Sequence, residues 1–129
     1  MVVLDTCIII DHLRTKEKKD SLLMEIAGKK PKESLAISMI SIQELYEGKS
    51  TKDKQKEQSL LATIVPLKIL PYTYEVAELA GRIARDLKRP IELADAAIAA
   101  TAITSGASLL TLDRKDFRGI KGLELLAEF

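Results

Sequence analysis

Several acidic side chains stand where a folded chain has little use for a charge. Asp5 directly follows the apolar run VVL, Asp113 directly follows SLLTL, and Asp116 comes three residues after that. Glu44 lies in SIQELYEG. Asp95 lies inside LADAAIAATAI, with no basic residue within five positions on either side. A helix made of alanine and aliphatic residues can pack on nearly every face, and a buried, unpaired carboxylate is costly unless it is paired, protonated or metal-bound. Carboxylates gathered a few ångström apart cannot all stay ionised without compensation. A divalent cation supplies that compensation, and an all-oxygen, histidine-poor donor set suits Mg²⁺ or Mn²⁺. Zinc is disfavoured, because the single histidine and the single cysteine, His12 and Cys7, both lie in an apolar first helix.

Each acid also has a plainer reading. Asp5 would serve as a helix N-cap, as would Thr6 after it. Glu44 stands at capping-box spacing from Ser41, and Glu47 one turn on faces solvent. Glu92 shares a helix face with Asp95 and either joins it as a second ligand or complements the helix dipole. Of Asp113 and Asp116, one belongs to the site and the other caps the turn around DFRG. Asp95 has no comparable structural role. Cys7 reads as a core filler and His12 as a helix-end residue. The chain carries no P-loop, GxSxG or GxGxxG pattern.

The elements that must position these acids alternate along the chain. Five short apolar runs, at 2–4, 35–38, 67–70, 108–112 and 123–126, are mostly continuous rather than alternating, as in parallel strands covered on both faces. Helices are expected between them. The first opens at Thr6; the second ends at Gly28 as C-cap; a short third begins at the Ser41 and Glu44 box and closes at Gly48. Residues 49–58 are polar and lead into an exposed helical hairpin. Residues 72–88 form a long amphipathic helix with Val76, Leu79, Ala80, Ile83 and Leu87 on one side. Pro90 separates it from the alanine-rich helix. Strand and helix alternation over one unit predicts a three-layer α/β/α sandwich with a five-stranded, mostly parallel sheet and a single domain over 1–129. Active sites of such sheets lie beyond the carboxyl ends of the strands, where strand order reverses.

Bulk properties agree with one aliphatic core. The 129 residues are 47% hydrophobic and 30% charged, with no Trp, and the formal net charge is +1. Any nucleic-acid interface must therefore rest on local patches. No apolar run reaches the roughly 18 residues of a membrane span, and MVVLDTCIIIDHLR lacks a basic start, so a cytoplasmic location is expected. One cysteine fits a reducing compartment. The lack of Asn and the abundance of Lys and Glu lean toward a thermophilic source.

Together the blocks VLDTCIIIDHL, SMISIQELYEGK, ELADAAIAATA and LLTLDRKDFRGIKGLEL resemble, in order and spacing, the signature blocks of PIN domains of the VapC toxin type. The resemblance spans residues 2 to 126 and implies a metal-dependent ribonuclease, the toxin of a toxin–antitoxin pair, on a sandwich that usually dimerises. It maps Asp5, Glu44 and Asp95 onto the three best-defined catalytic and metal-binding acids. Asp113 falls on the fourth position, with Asp116 as its competitor and Glu92 as a further acid; Thr6 and Thr111 match supporting hydroxyl positions. RNA, single-stranded or looped, would be gripped beside the site by Arg114, Lys115 and Arg118, in preference to Lys16, Lys18 and Lys19 or to Lys49, Lys52, Lys54 and Lys56. A small antitoxin could insert a basic side chain into the acidic pocket and lay an amphipathic segment along Ile8, Ile9, Leu13, Leu22, Leu23 and Ile26. Two rival readings are a silent PIN-like RNA-binding scaffold and a phosphotransfer domain with Asp5 as acyl-phosphate nucleophile. The latter wants a second acid two residues after the first, where this chain has Cys7.

Overall fold

The computed structural model of the chain describes residues 1–127. Four parallel strands, β1 (Val2–Leu4), β2 (Leu35–Ser38), β3 (Lys68–Leu70) and β4 (Ser108–Leu110), lie in the order β3-β2-β1-β4. Val3 stands opposite Ala36 on one side and Leu109 on the other. The helices are α1 (Thr6–Arg14), α2 (Leu22–Lys29), α3 (Met39–Glu47), α4 (Lys54–Ile64), α5 (Tyr74–Asp86) and α6 (Leu93–Thr104).

Strand residues alternate between two cores. Val2, Leu4, Ile37 and Leu110 pack with Ile8 and Ile9 of α1, Leu23 and Ile26 of α2, and Leu60 and Ile64 of α4. Val3, Ala36 and Leu109 turn the other way, onto Ile98, Ala99 and Ala102 of α6 and onto Phe117 and Ile120. Because both faces are covered, all three residues of β1 are buried and no polar residue alternates with them. Outside α6, Val76 and Ala80 of α5 pack on Ala96 and Ala100. Alanine on both helices lets them approach closely, which is why α6 is buried at every position from Ala96 to Ala102. The three layers are those expected.

Five details depart from the sequence reading, four of them small. The run 123–126 forms no fifth strand: it touches the sheet through one bridge, with Leu109 N–H donating to Glu124 O and Leu126 N–H to Leu109 O, both at 2.8 Å. Gly119 and Gly122, both at positive φ, turn the chain just before it. β3 lies at the sheet edge, so Lys68 and Ile69 are exposed rather than covered. The cap of α1 is Asp5 and not Thr6. Gly28 lies within α2 because its φ is not positive, so the helix runs on to Lys29 and is capped by Lys30.

The correction with the largest consequence concerns α3. Ser38, the last residue of β2, is itself the N-cap and accepts from Ile40 N–H at 3.2 Å. The cap therefore lies three residues before Ser41 and the helix starts at Met39, so the expected box of Ser41 and Glu44 does not exist. Gly48 does close α3, as expected. Glu44 is thereby stripped of its capping role and carried to the middle of the helix.

The strand order also fixes where a site can form. From β1 the chain moves one way through β2 and β3, then returns to add β4 on the other side of β1. Strand order reverses between β1 and β4, and Asp5 and Thr111 leave those two carboxyl ends.

Candidate functional site

Asp5 is 6% exposed, and both its oxygens are engaged. Oδ1 accepts from Thr6 N–H at 2.8 Å; Oδ2 accepts from Thr111 Oγ1 at 2.7 Å and from Cys7 Sγ at 3.3 Å. Thr111 Oγ1 accepts in turn from Asp113 N–H at 2.9 Å, and Leu112 N–H donates to Cys7 Sγ at 3.4 Å. These bonds pin the segment after β4 over the end of β1. Burial raises the Asp5 pKa despite the donors from Thr111, Cys7 and Thr6, and the Asp113 charge adds to the rise. Cys7, where acyl-phosphate chemistry wants a second acid, has its thiol pushed up to about 12 by burial and by Asp5, so it is neither thiolate nor acid.

Thr6, the first residue of α1, reaches across to α3. Its Oγ1 donates to Glu44 Oε1 at 2.6 Å and lies 2.8 Å from Ser41 Oγ. Ser41 is fully buried, and this contact is its use in the fold. Burial raises the Glu44 pKa and the Thr6 hydrogen bond lowers it, while Asp5, Glu47 and Glu92 add repulsion. Thr6→Val keeps the shape and removes the donor. We expect it to cost about 1–3 kcal/mol in chemical denaturation, the usual penalty for stranding buried polar partners. By NMR titration the Glu44 pKa should move further up; a fall would contradict this role for Thr6.

Asp95 sits in the first turn of α6, half-buried. Its pKa is pushed from an ordinary 3.8 to about 7, first by burial and then by Asp5, Asp116, Glu92 and Glu44. Asp95 is thus turned toward the acids that the sequence placed on distant segments. It lines a cleft of about 340 Å³ with Arg89, Pro90, Ile91, Glu92 and Asp116. Glu92 is the N-cap of α6 but makes no side-chain cap bond, which leaves its carboxylate to the cleft.

The choice between Asp113 and Asp116 dissolves into two positions. Asp113 has a carboxylate oxygen within 4.8 Å of an Asp5 oxygen and of Cys7 Sγ, whereas Asp116 lies beside Asp95. Neither side chain caps the 3₁₀ turn Arg114–Phe117. Glu92, Asp95 and Asp116 therefore line one cleft, Asp113 stands against Asp5, and Asp95 feels the charges of Asp5 and Glu44, which brings the six acids to one edge of the sheet. The donors are hard oxygens, and burial raises the pKa values of Asp5, Glu44 and Asp95. Such a set fits a divalent cation.

The basic candidates fare unevenly. Lys18 Nζ donates to His12 O, Leu13 O and Thr15 O at 2.7 to 2.9 Å, finishing α1, so it is not a free cation. Arg114 donates to Leu126 O at 2.8 Å, Lys115 is exposed, and Arg118 lines a separate groove. His12 pairs with Ser21 Oγ at 2.7 Å. Ile8, Ile9, Leu23 and Ile26, expected to edge a partner groove, are buried in the first core, with Leu13 and Leu22 packed against it. That groove does not exist, because α4 and the sheet already cover those side chains.

Sequence reasoning missed Ser41, Cys7 and Arg89. Ser41 was absorbed into a cap that does not form. Arg89 lies six residues before Asp95, on the far side of Pro90, and only the fold returns it to the cleft, where its Nη2 donates to Asp116 O at 3.0 Å and Arg118 O at 2.6 Å.

Comparison with known proteins places this geometry. The PIN domain family model matches residues 2–123. Ribonuclease VapC1 of Rickettsia felis is 44% identical over 98 residues, covering 70% of this chain and 73% of that protein. The crystal structure of VapBC2 from Rickettsia felis bound to a DNA fragment from their promoter superposes with a TM-score of 0.84 at 27% identity, covering 98% of both chains. A toxin–antitoxin complex from Klebsiella pneumoniae gives 0.76 at 27% identity over the whole of both chains.

Proposed function

Because this chain belongs to the PIN domain family, we propose that it is a ribonuclease, the toxin of a toxin–antitoxin pair, hydrolysing RNA phosphodiester bonds with Mg²⁺ or Mn²⁺ at the acidic recess. The observation that carries the reading is geometric: Asp113 stands within 4.8 Å of Asp5 at the ends of β1 and β4, and Asp95, Glu92 and Asp116 line one cleft, so acids from distant segments gather at one edge of the sheet. The kinship with ribonuclease VapC1 supports the reaction, and the toxin–antitoxin complexes that share the fold support a small antitoxin partner. A second copy of the chain completes the proposed assembly. Among the described residues no helix is long and apolar enough to cross a membrane.

Asp5 and Asp95 would hold the ion, with Asp113 beside Asp5 and Asp116 and Glu92 beside Asp95. An ion held there would supply a water of lowered pKa and would offset charge on the phosphoryl oxygens. Thr111 and Thr6 fix Asp5 by donating to both its oxygens, so its lone pairs are aimed before substrate arrives. Glu44, steadied by the Thr6 hydroxyl, or Asp113 would orient the attacking water and take its proton. The Cys7 thiol, held protonated, contributes only a hydrogen bond to Asp5.

The test is cleavage of labelled single-stranded RNA with Mg²⁺ or Mn²⁺ and with EDTA. Endonucleolytic products should form with either ion, vanish with EDTA and return when the ion is restored. Cleavage that persists in EDTA would overturn the metal mechanism, and RNA binding without cleavage under any divalent ion would favour the silent scaffold.

A further inference from the structure

A second and larger concavity, about 890 Å³, opens beside the acidic cleft. Its walls come from the C-terminal half of α5, from residues 87–89 and from the loop 118–121. Leu79, Ile83, Leu87 and Ile120 floor it. Its charged lining is Arg82, Lys88, Arg89, Arg118 and Lys121 against the single acid Asp86. Arg82 and Asp86 are engaged in ion pairs with Glu78 and Arg85, but Lys88, Arg118 and Lys121 are exposed and their side chains make no hydrogen bond or ion pair among the described residues.

Arg89 lines both concavities. Its bonds to Asp116 O and Arg118 O hold the side chain as the wall where a negative recess gives way to a positive trough. A chain with a formal charge of only +1 offers a polyanion little general attraction, and the acids at the recess repel it further. An RNA strand with one phosphate at the acids therefore needs its neighbouring phosphates neutralised nearby. The floor lacks aromatic side chains, so bases have no stacking platform there and the grip falls on the backbone.

We propose that this trough is the binding path for the RNA backbone flanking the scissile phosphate, gripped without sequence preference by Lys88, Arg118 and Lys121. The proposal rests on the ribonuclease reading, and its test separates the two. Binding of a labelled single-stranded RNA is followed by fluorescence anisotropy in EDTA, where no cleavage intervenes, across a series of KCl concentrations. The triple substitution Lys88→Ala, Arg118→Ala and Lys121→Ala should weaken binding at least tenfold. It should also flatten the slope of log affinity against log salt by about 2, since each neutralised phosphate on a single strand contributes roughly 0.7.

Lysine-to-arginine changes at 88 and 121 should restore both quantities, and alanine at Lys49, Lys52 and Lys54 should leave them within about twofold. With metal, the triple variant should raise KM for long RNA by a larger factor than it lowers kcat. Unchanged affinity and unchanged salt slope would overturn the proposal. So would intact RNA binding accompanied by loss of binding to an acidic protein partner. Because binding is read without metal, failure of the nuclease reaction itself leaves this result interpretable.

Discussion

Asp95→Asn is expected to lower the RNA cleavage rate on the order of 10²–10³-fold while making the metal-free protein more stable. The two effects share one cause. The isostere keeps the helix and the packing of α6 but removes the charge that Asp5, Asp116, Glu92 and Glu44 oppose. At pH 8 without metal the wild type must hold Asp95 ionised in that company, whereas its unfolded chain does so freely. Allowing for screening at a half-exposed group, relief on the order of 1–2 kcal/mol is reasonable. It corresponds to a rise of several degrees in Tm, at roughly 3–8 °C per kcal/mol for a chain of this size. A variant that loses activity and also melts lower in EDTA would show instead that Asp95 serves the fold.

The second expectation concerns pH. Asp5, Glu44 and Asp95 all have folded-state pKa values above their ordinary ones, so between those values the folded protein binds more protons than the unfolded chain. The metal-free protein should therefore be more stable in mild acid than at neutral pH, losing stability as pH rises from about 3.8 to about 7, the two Asp95 values. Cation binding demands the ionised carboxylates and so works in the opposite direction. The apparent affinity for Mn²⁺ should fall by up to about tenfold per pH unit below 7, with proton release on binding. Saturating Mn²⁺ should flatten the loss of Tm between pH 5 and 8. Calorimetric titration in buffers of different ionisation enthalpy measures the protons directly. Pure Mn²⁺ heats with no buffer dependence at pH 6 would contradict the assigned pKa order.

Much of this was legible in the sequence because the physics involved is local or periodic. Continuous apolar runs announced a sheet covered on both faces, and a lone carboxylate in an alanine-rich helix announced a site. What escaped depended on tertiary closure. Ser38 ends a strand and caps a helix at once, so the Ser41 and Glu44 spacing imitated a cap that the fold makes elsewhere. The last apolar run became a single bridge, reached after the turns at Gly119 and Gly122. Ile8, Ile9, Leu23 and Ile26 looked like an open groove since a sequence does not say that α4 covers them. Asp113 and Asp116 competed for one role on paper, while in the fold they stand beside Asp5 and Asp95 respectively.

The central proposal is that Asp5 and Asp95, ninety residues apart, hold one cation between them. Mn²⁺ binding at pH 8, followed by electron paramagnetic resonance for the wild type, Asp5→Asn, Asp95→Asn and the double variant, addresses it most directly. We expect each single substitution to weaken binding by at least tenfold and the double variant to fall well short of the product of the two, as for groups acting on one ion. Wild-type affinity in both single variants would contradict it.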